Sequence, residues 1–291
     1  MRFTLRQLQV FVAVAHHQGV GAAANALAMS QSAVSGALKE LESHYDVQLF
    51  ERVGKRLRIS AEGERLWPKA QALLDQARAL DSDLTAHASI PSLTLGATLT
   101  IGNYLAVEMI ERFMREYNGQ ANLVVGNTQQ MVDALLQFDI DLALLEGEVH
   151  HPLLRVSHWR HDELICFCSP DNPLAKKHRL TEEDLIAAPW ILREQGSGTR
   201  QTFDRAMHGL MPDITVKMTL QHTEGIKRAV ENNLGVGCLS RIALADSFRH
   251  GTLVPLTTPT RDFTRELFIA MHQEKYRSLG VEAWLRLCGE V

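Results

Sequence analysis

The chain has no uninterrupted apolar run of the roughly 18 residues that a membrane-spanning helix requires, so a helical membrane protein is not expected. Its first residues, Met1-Arg2-Phe3-Thr4-Leu5-Arg6-Gln7, enter an amphipathic pattern without the apolar core of a secretory leader; the expected location is cytoplasmic, with no membrane partner. Cysteine is scarce. Cys166, Cys168, Cys238 and Cys288 have no metal-ligand spacing, and no disulfide framework is expected. Cys166 and Cys168 share one side of an apparent strand and read as buried small hydrophobes. The usual signatures of catalysis are missing as well: no nucleophile elbow, phosphate loop or zinc motif appears. The expectation is therefore no enzyme, no catalytic residue, no cofactor and no metal. His150, His151, His158 and His161 crowd a short stretch, yet no helical histidine pair or partner carboxylate is visible, and they read as surface or core histidines.

A large charge of one sign is also lacking, since the formal net charge is −4. The distribution is uneven. Residues 1–60 carry seven Lys/Arg and four Asp/Glu, a balance of +3, which leaves −7 on residues 61–291. A basic end on an acidic body suits contact between the small end and a polyanion. At 291 residues the chain is long enough for two domains.

What is present begins with three helical patterns. The first covers residues 4–17, with Leu5, Leu8, Phe11, Val12 and Ala15 as its apolar stripe. Gly19 and Gly21 separate it from an Ala-rich second helix. The third opens at Ser30, whose hydroxyl is placed to accept from Ser32 or Ala33 as an N-cap. Ala33, Val34, Ala37, Leu38 and Leu41 recur at helical spacing and are expected to face inward. Gln31, Ser32, Ser35, Gly36 and Lys39 fall outside, small or hydrogen-bonding residues fit to meet base edges and phosphates in a major groove. An Ala-rich helix, a tight turn and a polar-faced helix describe a helix-turn-helix; alone they also describe a helical hairpin with a solvated face. Phe50 is expected to plug the small core, and Val53-Gly54-Lys55-Arg56-Leu57-Arg58 reads as a hairpin that gathers Arg52, Lys55, Arg56 and Arg58. Such a basic wing suits flanking phosphates or the minor groove.

A helix then runs to about residue 87. Leu66, Leu73 and Leu80, interleaved with Ala70, Ala77 and Leu84, form a heptad seam, for which a helix of another subunit is the simplest cover. Pro68 is placed to kink its first turns. Residues 89–92 read as a linker. Beyond them strands and helices alternate in two series, which predicts parallel sheets covered by helices and ligands held outside the carboxyl ends of the strands. Expected strands cover 93–98, 122–126, 141–145, 163–168, 215–220, 236–239 and 266–271, and the intervening helices include 104–117, 130–138, 199–209 and 275–287.

These pieces resemble the LysR-type transcriptional regulators. The resemblance rests on Leu5-Arg6-Gln7-Leu8, Ala23-Ala24 with Leu27, Ser30-Gln31-Ser32-Ala33-Val34-Ser35, Leu41-Glu42 and Leu49-Phe50-Glu51-Arg52. In the body, Thr98 to Tyr104, Gly126-Asn127-Thr128-Gln129, Ala188 to Arg200 and Gly235 to Arg241 are similar to the branch holding the CbbR and YeiE regulators, whose members sense metabolites or small inorganic anions. The sequence departs from the family at Val20-Gly21, where a Ser or Thr cap is usual, and at Asp46, where Gly normally ends the recognition helix; Asp tolerates left-handed geometry.

The resemblance implies a winged helix-turn-helix over 1–60, an all-α head with a basic wing, and a dimerising linker helix over 61–88. Over 89–291 it implies a two-lobed α/β effector domain like periplasmic binding proteins of type 2. Lobe I would take about 91–162 and 268–291, and lobe II about 163–267. It also implies a homodimer or homotetramer on double-stranded promoter DNA with an interrupted inverted repeat, and an effector that alters DNA bend and contact with RNA polymerase. By the same resemblance Thr98, Thr100, Asn127, Gln129, Ser197, Gly198 and Thr199 converge in a cleft between lobes. There, hydroxyls and free N–H groups at helix starts suit a small anion, sulfite among the candidates. Glu146 is expected to line that cleft and would repel an anion unless protonated or paired. A solute-binding protein or a small-molecule enzyme built on the same two lobes is the alternative, disfavoured by the N-terminal block.

Overall fold

The computed structural model describes residues 2–53, 56–85 and 92–289. The chain divides into two compact units, residues 1–91 with 273–282, and residues 92–272 with 283–291.

The first unit opens with α1 (Leu5–His17), α2 (Val20–Ala26) and α3 (Gln31–Tyr45). Thr4 starts α1 with a capping box: its hydroxyl accepts from Gln7 N, and the Gln7 side chain accepts from Thr4 N. The buried stripe differs from the one expected. Leu5 is 51 % exposed, and Val10 and Val14 are buried beside Leu8, Phe11 and Ala15. A helix pitch of 3.6 residues carries the stripe away from Leu5 once α2 and α3 pack along Val10 and Val14. Ser30 caps α3 by accepting from Ala33 N at 3.1 Å, and Val34, Leu38 and Leu41 are buried. Ala33 is exposed rather than inward, in the first turn beyond the reach of the core. Asp46 ends α3 in left-handed geometry at φ 52° and ψ 47°, so the role usual for glycine is met by a residue that tolerates it. Phe50 packs edge-on to Phe11 at 5.8 Å in the small core.

The strands β1 (Phe50–Val53) and β2 (Arg56–Ile59) then pair antiparallel. The helix α4 (Ala61–Thr85) is 25 residues long, about 37 Å at 1.5 Å per residue. Ser60 caps its start, accepting from Gly63 N at 3.0 Å. Glycine is required at position 63, where a Cβ would lie 2.3 Å from the Leu49 carbonyl oxygen. Pro68 lies within the helix. Ala70 and Leu74 are buried in the small core, whereas Leu73, Leu80 and Leu84 are 44 %, 61 % and 77 % exposed. The expected linker at 89–91 lies outside the described residues.

The second unit comprises β3 (Leu93–Thr98), α5 (Leu99–Tyr104), α6 (Ala106–Tyr117), β4 (Ala121–Gly126), α7 (Thr128–Leu136), β5 (Leu142–Leu145), β6 (Leu154–Cys168), α8 (Glu182–Ala187), β7 (Trp190–Arg193) and α9 (Gly198–Ala206). It continues with β8 (Val216–Leu220), α10 (Thr223–Glu231), β9 (Val236–Ser240), α11 (Arg241–His250), β10 (Val254–Leu256), β11 (Thr264–His272) and most of α12 (Leu279–Leu287). The strand order is β4-β3-β5-β11-β6-β9-β7-β8, with β10 against β6.

Two parallel groups, β4-β3-β5 and β9-β7-β8, form the two lobes. They are joined by β11 and β6, which pair antiparallel to each other and to their neighbours. The sheet is thus mixed and not wholly parallel, because one long strand, β6, serves both groups. Its first part pairs with β11 and its last part with β9 and β10. Leu164, Cys166 and Cys168 enter one core cluster and Ile165 and Phe167 another, as alternation along a doubly covered strand demands.

Candidate functional site

The register of β3 on β5 sets the site. Ala97 pairs with Leu144, so the carboxyl ends of both strands deliver Thr98, Thr100 and Glu146 to one place. Glu146 is 2 % exposed. Its carboxylate accepts from Thr100 N at 2.5 Å, Ile101 N at 3.2 Å and the Thr100 hydroxyl at 2.9 Å. The Thr199 hydroxyl lies 3.3 Å away, donating from the start of α9. Arg265 on β11 completes the set, with Nη1 at 3.0 Å from Glu146. The same guanidinium reaches Asp162 at 2.6 Å, Thr199 Oγ1 at 3.1 Å and Thr100 Oγ1 at 3.5 Å. Burial works against the charge on Glu146. The Arg265 guanidinium, the hydroxyls of Thr98 and Thr100 and the Ile101 N–H outweigh it and hold the carboxyl below the usual carboxylate range. The carboxylate is therefore paired, one of the two conditions under which an anion could be tolerated beside it.

An open cleft of about 490 Å³ adjoins the starts of α7 and α9. Gln129, Ser197 and Gly198 line it, along with Thr128, His150 and His151. The eight residues expected in one cleft thus fall into groups. Thr98, Thr100, Glu146 and Thr199 surround the buried ion pair, and Gln129, Ser197 and Gly198 line the open space. Asn127 serves neither group: it caps α7 through its side-chain oxygen, which accepts from Gln130 N at 3.0 Å, and its amide donates to Glu194 at 3.1 Å. The lobes meet tightly here. Gly198 N donates to Thr128 Oγ1 at 3.1 Å and Gln129 N to the Gly196 carbonyl at 3.2 Å. A Cβ at Gly198 would lie 2.5 Å from the Glu146 carbonyl oxygen, so only glycine permits this approach.

On the head, Gln31, Ser32, Ser35, Gly36 and Lys39 are all exposed on α3. The basic wing is arranged differently from the single cluster expected. Arg52 pairs with Leu57 and Arg58 with Glu51, and cross-strand partners share a face, so Arg52 and Arg58 point to opposite sides of the ribbon. Both are exposed. Lys55 lies outside the described residues, as does the side chain of Arg56.

Arg265 and Asp162 were missed from the sequence, although a signal existed for the first. Arg265, Leu267 and Ile269 alternate along β11 and are all buried. An arginine in the inward register of a strand calls for a buried carboxylate. The expected strand began one residue too late to include it.

A winged helix-turn-helix, a long helix and a two-lobed α/β body with a polar interlobe cleft define a DNA-binding regulator that carries an effector-binding domain. Two family descriptions match the chain: "Bacterial regulatory helix-turn-helix protein, lysR family" over residues 5–64 and "LysR substrate binding domain" over residues 88–291. The chain belongs to the LysR family of transcriptional regulators, not to a family of enzymes. It is 39 % identical over 289 residues to the uncharacterized HTH-type transcriptional regulator YeiE of Escherichia coli (strain K12), covering 99 % of this chain and 98 % of that protein. Among solved structures, a full-length OxyR variant from Pseudomonas aeruginosa has a TM-score of 0.73 at 22 % identity, covering 99 % of this chain and 95 % of that one. The regulatory domain of Synechocystis CcmR in complex with 2-PG has a TM-score of 0.63 at 24 % identity, covering 68 % and 95 %.

Proposed function

We propose that this regulator is switched by a small anion bound at the interlobe site beside Thr98, where the anion competes with Glu146 for the donors of Thr100, Ile101, Thr199 and Arg265. The observation that carries the reading is the carboxylate itself: two backbone N–H groups, two hydroxyls and a guanidinium converge on one buried oxyanion. A donor set built to hold one carboxylate suits another oxyanion of similar size. Gln129, Ser197 and Gly198 would form the entrance, and Asn127 would hold α7 in place through its cap. Phosphorylated metabolites, sulfate and sulfite are the ligands to screen, together with 2-PG, with which the CcmR regulatory domain is in complex. A ligand that binds the native state raises its thermal midpoint with saturation. Thr100→Val is expected to abolish that rise for whichever anion produces it, with DNA binding retained. An unchanged anion affinity in Thr100→Val would place the effector elsewhere.

In the head, α3 would lie in the major groove, with Gln31, Ser32, Ser35 and Lys39 toward bases and phosphates and the wing arginines on flanking phosphates. Leu73, Leu80 and Leu84, uncovered on α4, supply the face for a second copy. A symmetric dimer or tetramer on an interrupted inverted repeat follows, the anion altering DNA bend and polymerase contact in the cytoplasm. Double substitution Arg52→Ala and Arg58→Ala is expected to weaken binding to all DNA sequences alike. The slope of log affinity against log salt should fall by about 0.9 for each phosphate that the altered wing no longer neutralises. A slope that does not move would remove the wing from the interface.

A further inference from the structure

The ladder of β6 on β11 carries an irregularity with a chemical consequence. Arg160 pairs with Leu267, but the next residue of β11, Phe268, pairs with His158. Trp159 is the extra residue of a β-bulge, with its ring buried and the Arg160 guanidinium 4.4 Å above it. On a regular strand, residues three apart point to opposite faces. The inserted residue restores His158 and His161 to the same face. Their rings stand 4.7 Å apart. Glu266 is the direct cross-strand partner of His161 and shares that face, while Phe268 closes the far side, edge-on to His158 at 6.5 Å. One ligand atom from each of His158, His161 and Glu266 lies within 4.8 Å of the others, and all three residues are exposed.

The geometry points to a binding site for a divalent transition cation of the zinc class, held by His158, His161 and Glu266 on the strands that join the two lobes. Two imidazoles and one carboxylate are the donor set of open zinc sites, in which water fills the remaining positions. Imidazole donors select Zn²⁺, Co²⁺, Ni²⁺ or Cu²⁺ over Mg²⁺ and Ca²⁺, which prefer oxygen ligands alone. The carboxylate that the histidine-rich stretch lacks in sequence is supplied from β11 by strand pairing. The site is separate from the buried Glu146 cluster: Glu266 and Phe268 lie on the face of β11 opposite to Arg265 and Leu267.

The test is titration of the full chain, purified without a histidine tag, with Zn²⁺ by calorimetry and with Co²⁺ by absorption. The expected result is one saturable Zn²⁺ per chain, no saturable Mg²⁺, and a Co²⁺ ligand-field band of low coordination number. Removing even an outer partner of a metal ligand costs about 10–100-fold in affinity, so His158→Gln or Glu266→Gln should each weaken Zn²⁺ at least about tenfold. His158→Gln with His161→Gln should abolish both signals. These positions are exposed, and thermal midpoints without metal should match the parent. His150→Gln with His151→Gln, altering the histidines that line the interlobe cleft, should leave Zn²⁺ binding unchanged. Absence of a saturable Zn²⁺ site overturns the proposal, and so does a site that survives the His158/His161 double substitution.

Discussion

The outer face of α3 and the cluster around Glu146 are both polar, and they are built on opposite terms. On α3, Ser35 and Lys39 are exposed to solvent. Around Glu146 every donor is engaged: Thr100 and Thr199 hold the carboxylate, Arg265 bridges it to Asp162, and Ser240 donates to Asp162 at 2.9 Å. A surface that meets a polyanion can leave its donors to water until the partner arrives. A buried site cannot, because an unpaired interior charge costs several kcal/mol. The interior must therefore carry its own counter-ion, here Arg265 between Glu146 and Asp162.

The largest effect that would break this contrast is at Arg265. Arg265→Met leaves two buried carboxylates without their cation, and removal of one partner from a buried pair typically costs about 3–5 kcal/mol. Urea denaturation should register a loss of that size. A loss below about 1 kcal/mol would mean that water already screens the cluster and that the interior is not closed.

The pH dependence of Glu146 sharpens the comparison further. Its carboxyl titrates below the usual carboxylate range in the folded chain. A group with a depressed folded pKa adds stability that is fully present above its unfolded pKa, about 4.3 for glutamate. That stability is lost as the pH falls through the folded value. The stability difference between the parent and Glu146→Gln should therefore be constant near neutrality and shrink below about pH 4.3. A difference that stays flat down to pH 3 would show that Glu146 is not held as the charged form.

The two regions also differ in how far the sequence reveals them. The head could be read almost whole, because its logic is local: the Ser30 cap, the 3.6-residue spacing of Val34, Leu38 and Leu41, and an Asp able to turn left-handed at position 46. The body could be read in outline only. β7, Trp190–Arg193, is a four-residue strand with only three apolar residues, too short for periodicity to separate strand from helix. The first part of β6 was missed because the bulge at Trp159 breaks the alternation that marks a strand. The helix expected at 104–117 is α6, whereas α5 just before it has no counterpart among the expected helices, since a six-residue helix has too few turns to show a stripe. Spacing puts Glu146 beside the cleft, but its partner lies on β11, far along the chain. Pairing set by sheet order has no signature in spacing.

The smallest expected effect lies on α3. Ser35→Ala and Lys39→Ala touch exposed side chains, and exposed substitutions of this kind stay within about 0.5 kcal/mol of the parent. Alanine is also the better helix former, which offsets part of any destabilisation. Unfolding midpoints should be unchanged, whereas affinity for operator DNA should fall, because the groove interactions proposed for α3 have no substitute. The salt slope separates the two roles. Removing a phosphate-neutralising charge at Lys39 lowers the slope by about 0.9, while removing a base-reading group at Ser35 lowers specific affinity and leaves the slope alone. A drop in thermal stability with unchanged DNA binding would reverse the assignment: α3 would then be a structural face, and the contrast with the Glu146 cluster would rest on burial alone.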